Sequence, residues 1–298
     1  MDPLSPPISL IKIDGKVVLK LVKYGLEYLP NTLSGQLLGM ETDSSLEVTD
    51  CYPLSAMDDL ETRHYYDKIF PALRDANQDV FPVGVFRCSN LGFYLDMDAL
   101  ENQHLSQKDI RNRITIVIDP LSITNGYFVL KAFRISDSFF EHYTSGNFTA
   151  AHLRESKVTF ADVWTEVPVQ IQNVNLINLW LSSYFIQNDL PPTNIASVIT
   201  RDHRQALISD IDSTENAADA MLHECRRYLS SASTAAKLRE QVKAGIPLKK
   251  GRMHVTEPQQ LHAIVSMSQL SRYCDALVSR IDTEIEALRV VEGASLDR

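Results

Sequence analysis

The sequence predicts an α/β domain over residues 1–188, with a mixed sheet and flanking helices, followed by an α-helical tail over residues 189–298. Three observations lead there. Short apolar runs of β-prone residues alternate with longer segments whose apolar residues recur at helical spacing. The stretch Asn188-Asp189-Leu190-Pro191-Pro192-Thr193-Asn194 then breaks regular structure, because paired prolines remove backbone donors, and Thr193 or Asn194 suits the start of a new helix. Beyond it, apolar residues are spaced by three and four with no further β-prone run.

The elements follow in order. Ile8 to Ile13 alternates apolar and polar residues as a half-buried strand does. Asp14-Gly15 makes the turn, with Asp14 placed to cap a helix whose Val17, Val18, Leu21 and Val22 share one face. Gln36 to Met40 and Leu46 to Pro53 form a hairpin through the polar turn Asp43-Ser44-Ser45. Thr62 to Ala76 is a helix with Tyr66, Ile69, Phe70 and Leu73 inward. Val83-Gly84-Val85-Phe86 is apolar enough for a buried central strand, and Gly84 is expected where that strand packs closely on a neighbour. Met97 to Asn112 is helical, with Leu100, Leu105 and Ile110 inward. Arg113 to Pro120 is a strand. Asn125-Gly126 turns it into a returning strand from Tyr127 to Ile135, because both residues accept positive φ. Late strands are expected at Val158-Thr159-Phe160 and from Glu166 to Ile171.

In the tail, Ile195, Val198, Ile199, Leu207, Ile208 and Ile211 form one stripe, and Ala217, Met221, Cys225, Tyr228 and Leu229 the next. Gly245-Ile246-Pro247 interrupts the helices. The last helix carries Leu261, Ile264, Val265, Leu270, Tyr273, Leu277, Ile281, Ile285 and Leu288. A helix this long has little in its own chain to bury against, so Leu261, Ile264, Leu270, Tyr273, Leu277, Ile281, Ile285 and Leu288 are candidate partner-binding residues.

Composition narrows the function classes. A 44% hydrophobic content supports a sizeable core. The start, Met1-Asp2-Pro3-Leu4-Ser5-Pro6-Pro7, has neither the basic nor the apolar region of a signal peptide, and no stretch has the roughly 20 apolar residues that span a bilayer. On these features the chain is expected in the cytosol or nucleus. Cys51, Cys88, Cys225 and Cys274 form no C-x-x-C and are expected as small buried apolar residues. The eight histidines form no H-x-H or H-x-x-x-H, and phosphate-cradle and nucleophile-elbow motifs are absent. No cofactor is expected.

The net charge of −9 argues against a general nucleic-acid binder. The charge is uneven, however. Arg226, Arg227, Lys237, Arg239, Lys243, Lys249, Lys250 and Arg252 face only Glu240, giving that segment +7 and leaving −16 for the rest. It is the candidate surface for RNA or an acidic partner.

The run Phe81-Pro82-Val83-Gly84-Val85-Phe86-Arg87-Cys88-Ser89-Asn90 resembles the MPN/JAMM domain, whose zinc site is built on V-G-W-Y-H-S-H-P. The frame is present in Val83, Gly84 and Phe86. On this resemblance, the two zinc-binding histidines fall on Arg87 and Ser89, and the later serine and aspartate fall on Met97 and Leu100. The general-base glutamate falls on Thr32. Zinc needs nitrogen, sulfur or carboxylate donors and an open position for water, which Arg87 and Leu100 cannot provide. A slipped loop could bring Asp96 or Asp98 near, but one carboxylate without imidazoles holds no catalytic zinc. The resemblance therefore implies neither metal nor isopeptidase activity.

Further segments sharpen the likeness. Ile13-Asp14-Gly15-Lys16-Val17-Val18-Leu19-Lys20, Gly35 to Gly39, Asp119-Pro120, Leu130-Lys131-Ala132 and Glu166 to Asn173 match, in order, motifs of the h-subunit family of eukaryotic translation initiation factor three. The likeness covers roughly residues 8 to 190. It implies a non-catalytic scaffold subunit in the cytoplasm, supporting initiation on the small ribosomal subunit. Implied partners are the other subunits of that factor, notably its MPN-containing f subunit, with the tail joining a multi-subunit helical bundle. An inactive MPN subunit of the proteasome lid or the COP9 signalosome is the alternative.

Overall fold

A computed structural model describes residues 8–29, 31–42, 45–54, 68–75, 79–89, 95–120, 123, 128–173, 175–187, 203–243 and 260–296. Its strands are β1 (Leu10–Asp14), β2 (Leu33–Glu41), β3 (Ser45–Leu54), β4 (Pro82–Cys88), β5 (Ile114–Ile118), β6 (Leu130–Ile135), β7 (Trp164–Val167) and β8 (Val169–Gln172). They form one sheet in the order β7-β6-β5-β4-β2-β3-β1-β8. The apolar run of β4 is central, with β2 antiparallel on one side and β5 parallel on the other. Gly84 lies opposite Ile114. A Cβ on Gly84 would sit 2.9 Å from Ile114 Cγ1 and closer still to the Ile114 carbonyl oxygen, so the close approach requires glycine.

The two sheet edges are neighbours in sequence. β7 pairs with β6 and β8 with β1, yet Pro168 alone separates them. Proline has no N–H to donate, while its carbonyl accepts from Ile11 N at 2.9 Å. One extended segment is thus shared between both edges, and the sheet curls to meet it. The single strand expected from Glu166 to Ile171 is divided at this point. The strand expected at 158–160 is absent. There, Thr159 N and Oγ1 both donate to Asp162 Oδ2 (2.8 and 2.7 Å), a local pairing that competes with a ladder and opens the 3-10 turn Phe160–Asp162.

Helix α1 (Gly15–Tyr28) covers one face through buried Val17, Leu21 and Gly25. Asp14 occupies the cap position but its side chain makes no cap hydrogen bond. Instead, Gly15 N donates to Asn173 Oδ1 at 3.0 Å, from the far end of the domain sequence. Lys20 adds an ion pair to buried Asp50 at 2.5 Å. This side encloses the first core, with Ile11, Ile13, Leu37, Phe86 and Ile116. A short helix, α2 (68–75), precedes β4.

The other face carries a second core of Val117, Phe133, Ile135 and Trp164. It is covered by Leu100 of α3 (Met97–Asp109), Phe139 and Phe140 of α4 (Asp137–Ser145) and Leu153 of α5 (Ala150–Ser156). Leu105 and Ile110 do not turn inward as expected, being 55% and 41% exposed. The buried stripe of α3 is Leu100, Gln103 and Gln107. Its amides are matched to backbone atoms: Gln103 Nε2 donates to Arg113 O (2.7 Å), just before β5, and Gln107 Oε1 accepts from Ile135 N (2.8 Å) of β6. Burial of polar groups is tolerated because each finds a partner.

Beyond the sheet lie α6 (Asn175–Gln187), α7 (His203–Lys243) and α8 (Leu261–Leu296). The expectation that the last helix has little to bury against fails for its first three turns. Val265 and Tyr273 are buried, and Leu261 and Ile264 pack on the second core. Arg272 donates to Trp164 O at 2.9 Å, pairs with Glu166 at 3.5 Å and lies over the Phe133 ring. Gln260 N donates to Phe148 O at 3.0 Å. On α7, Ile211 and Leu229 are exposed rather than part of an inward stripe. Among the described residues, no helix is long and apolar enough to cross a membrane. The turns at Asp43-Ser44 and Asn125-Gly126, Tyr66, Tyr127, the proline pair, Ile195 to Ile199 and Gly245-Ile246-Pro247 lie outside the described residues.

Candidate functional site

The corner singled out by sequence lies where β4 runs off the sheet. Its geometry is that of a closed ion pair. Arg87 Nη1 donates to Asp96 Oδ1 at 2.9 Å, and the same oxygen accepts Ala99 N at 2.8 Å. Asp96 is therefore the side-chain cap of α3, fixed by the helix N-terminus on one side and a guanidinium on the other. Ser89 is buried, with its N–H donating to Ile118 O at 3.2 Å. Met97 begins α3 and packs against the second core, where Leu100 is fully buried. Thr32 is exposed just before β2, and Asp98 is exposed in the first turn of α3.

This arrangement has a positive charge held where the resemblance puts a metal ligand, and a hydrocarbon where it puts a carboxylate. A guanidinium stays protonated and offers no lone pair. Asp96, the carboxylate bonded to Arg87, is already engaged twice. Among the described residues, no group of three or more His, Cys, Asp or Glu could hold a metal ion. Cys88 lies beside Arg87 in sequence, but its thiol is buried, and burial pushes it up to about 12, far from the thiolate a nucleophile needs. Cys51 is likewise buried and pushed up to about 12, by burial first and then by Asp50. Cys274 is exposed, against the expectation that all four cysteines are buried. His104 packs between Phe140 and Tyr143, at 4.7 and 4.6 Å between ring centroids, and burial lowers its pKa.

The Arg87–Asp96 pairing was missed in the sequence. The signal that could have found it is an aspartate directly before a helical run, which reads as an N-cap.

The tail residues divide. Leu261, Ile264 and Tyr273 face their own chain. Leu270, Leu277 and Ile281 are half-buried and Ile285 is 42% exposed, while the side chain of Leu288 lies outside those described. Arg226, Arg227 and Lys237 are exposed on α7. The side chains of Arg239 and Lys243, and all of Lys249, Lys250 and Arg252, fall outside the described residues.

The fold and its corner define an MPN-type domain in which an arginine–aspartate pair stands in the metal corner. Comparison with known proteins makes the assignment specific. A family model for the C-terminal region of eIF3h matches residues 123–246, which carries the family signal well past residue 190 and into the tail. The chain is 33% identical over 195 residues to the H subunit of eukaryotic translation initiation factor 3 from Arabidopsis thaliana, covering 64% of this chain and 57% of that protein. It is 32% identical over 189 residues to the corresponding protein of Dictyostelium discoideum (61% and 59%). It is 28% identical over 231 residues to that of Nematostella vectensis (75% and 69%). The matched stretch thus spans little more than half the length of the first of these relatives. By sequence, the chain is similar to the H subunits of eukaryotic translation initiation factor 3.

Proposed function

We propose that this chain is a non-catalytic scaffold subunit of eukaryotic translation initiation factor 3, supporting initiation on the small ribosomal subunit in the cytoplasm. The observation that carries the absence of catalysis is the Arg87–Asp96 pair at 2.9 Å, which fills the one corner where the fold would build a hydrolytic metal site. The MPN-type domain pairs with a second MPN subunit, the f subunit. The distal tail, with Leu277, Ile281 and Ile285, joins helices of other subunits. Exposed apolar residues on α6 (Leu176, Leu179 and Trp180, 63–75% exposed) and on distal α8 (Val278, 58%) support a chain that completes its burial in an assembly.

The test is affinity purification of the tagged full-length chain from its own cells, with identification of co-purifying proteins. Recovery of the initiation factor 3 subunits in comparable amounts is the expected result. Recovery of proteasome-lid or COP9 signalosome subunits in their place overturns the proposal.

A further inference from the structure

The outward face of α7 changes character along its length. Asp212, Glu215 and Asp219 are exposed on its early turns, and Glu240 is exposed near its end. Between them, Arg226, Ser230, Ser233 and Lys237 are all exposed at positions i, i+4, i+7 and i+11, which at 3.6 residues per turn form one line. Arg227 and Thr234, also exposed, flank it. The line runs about 17 Å at 1.5 Å per residue. No carboxylate lies on it. The hydroxyls turn their hydrogens inward, Ser230 Oγ to Arg227 O at 2.8 Å and Ser233 Oγ to Ser230 O at 2.9 Å. The line thus offers a ligand two cations, Arg226 and Lys237, separated by small neutral groups.

The opposite face of this stretch does the packing: Ala235 is buried, and Tyr228 accepts from Gln260 Nε2 at 2.6 Å. The basic line is therefore held outward by the docking of α7 on α8.

We infer that this three-turn face of α7, running from Arg226 to Lys237, binds the phosphate backbone of RNA. Two features favour a nucleic-acid backbone over an acidic protein. Protein interfaces are anchored by a desolvated aromatic or large apolar side chain, and this line has only serine between its cations. Exposed Leu229 sits roughly a quarter-turn around the helix from it. Cations spaced by small residues, with no aromatic side chain on the line for a base to stack on, suit contact with phosphates without regard to sequence. In a chain of net charge −9, this face lies in the segment that carries +7, which favours attraction to a polyanion. The inference goes beyond the scaffold reading and is tested on the purified chain alone, so either can fail without the other.

The experiment is fluorescence anisotropy of the full-length chain with a labelled uridine homopolymer, read across a salt series. The expected result is salt-sensitive binding. Replacing Arg226→Ala with Lys237→Ala removes two phosphate contacts, so the slope of log affinity against log salt falls in magnitude by about 1.4, at about 0.7 per contact, and affinity drops about fiftyfold at about 50 mM salt. The charge-preserving pair Arg226→Lys with Lys237→Arg should bind within about twofold of the original, which separates lost charge from lost folding. Three results overturn the inference: no binding by the original chain, an unchanged slope in the alanine pair, or displacement of the labelled RNA by polyglutamate as effectively as by unlabelled RNA. The last would assign the face to an acidic protein instead.

Discussion

Arg87 and Asp96 are joined at 2.9 Å, and the oxygen that makes this pair also caps helix α3 through Ala99 N at 2.8 Å. One carboxylate therefore ties the end of the central strand to the start of the helix lying on the second core. Asp96→Ala should lose both links, with roughly 0.5–2 kcal/mol from the cap and ~0–1 from the partly exposed pair. Arg87→Ala should lose only the smaller part. Asp96→Asn keeps the cap and should fall between them. Denaturant unfolding of the three variants checks the order, and equal losses for Arg87→Ala and Asp96→Ala would refute the dual role.

The same pair predicts the metal content. Elemental analysis of the purified full-length chain is expected to find no stoichiometric zinc, with no change on replacing Asp96 or Asp98. One zinc per chain, lost with either aspartate, would contradict the reading of the corner.

Gly84→Val should destabilise the domain by roughly 1–3 kcal/mol, because the new side chain must enter the space already held by the Ile114 carbonyl and Cγ1. The strand ladder between β4 and β5 leaves no room for it to shift. Thermal unfolding at an unchanged midpoint would show that the sheet opens to accept it.

The buried thiols carry a pH signature. Cys51 and Cys88 have thiols pushed from 9.0 up to about 12 in the folded chain, so the unfolded state gives up its proton first as pH rises. Their contribution to stability is therefore intact below pH 9 and lost progressively between 9 and about 12. At mildly alkaline pH, Cys274, which is exposed, should alkylate readily while Cys51 and Cys88 stay protected until unfolding. Mass spectrometry of iodoacetamide-treated protein reads this directly, and early labelling of Cys88 would count against its burial.

The last helix should have two separable functions along its length. Val265→Asp places a charge against Phe133, Trp164 and their neighbours in the second core and should destabilise the N-terminal domain. Leu277→Asp with Ile281→Asp lies beyond that contact and should leave the domain's unfolding transition in place while removing the chain from the assembly. A chain ending after Asn188 should suffer both effects, since it also loses the cover over Trp164. Co-purification of the Leu277/Ile281 variant with the full set of subunits would show that the distal tail does not secure the chain.

What the sequence determined by itself was local or compositional. The apolar run at Val83–Phe86, the hairpin of β2 and β3 and the helical period of α1 all follow from residue type at short spacing, while the missing donors at Thr32, Arg87, Ser89 and Leu100 are what the resemblance to the MPN/JAMM domain implies. Such features survive in the folded chain because propensity and burial act over a few residues. The tertiary structure decided the contacts that join distant segments. Asn173 caps the helix that begins at Gly15, and Pro168 divides one extended segment between two sheet edges. The glutamines of α3 take the place expected for Leu105 and Ile110 because the backbone at Arg113 and Ile135 offers them partners. The first turns of the last helix seal the second core instead of standing free. None of these is written in a local pattern, because each depends on which surfaces remain uncovered once the sheet has curled, and a side chain's own neighbours along the chain carry no record of that.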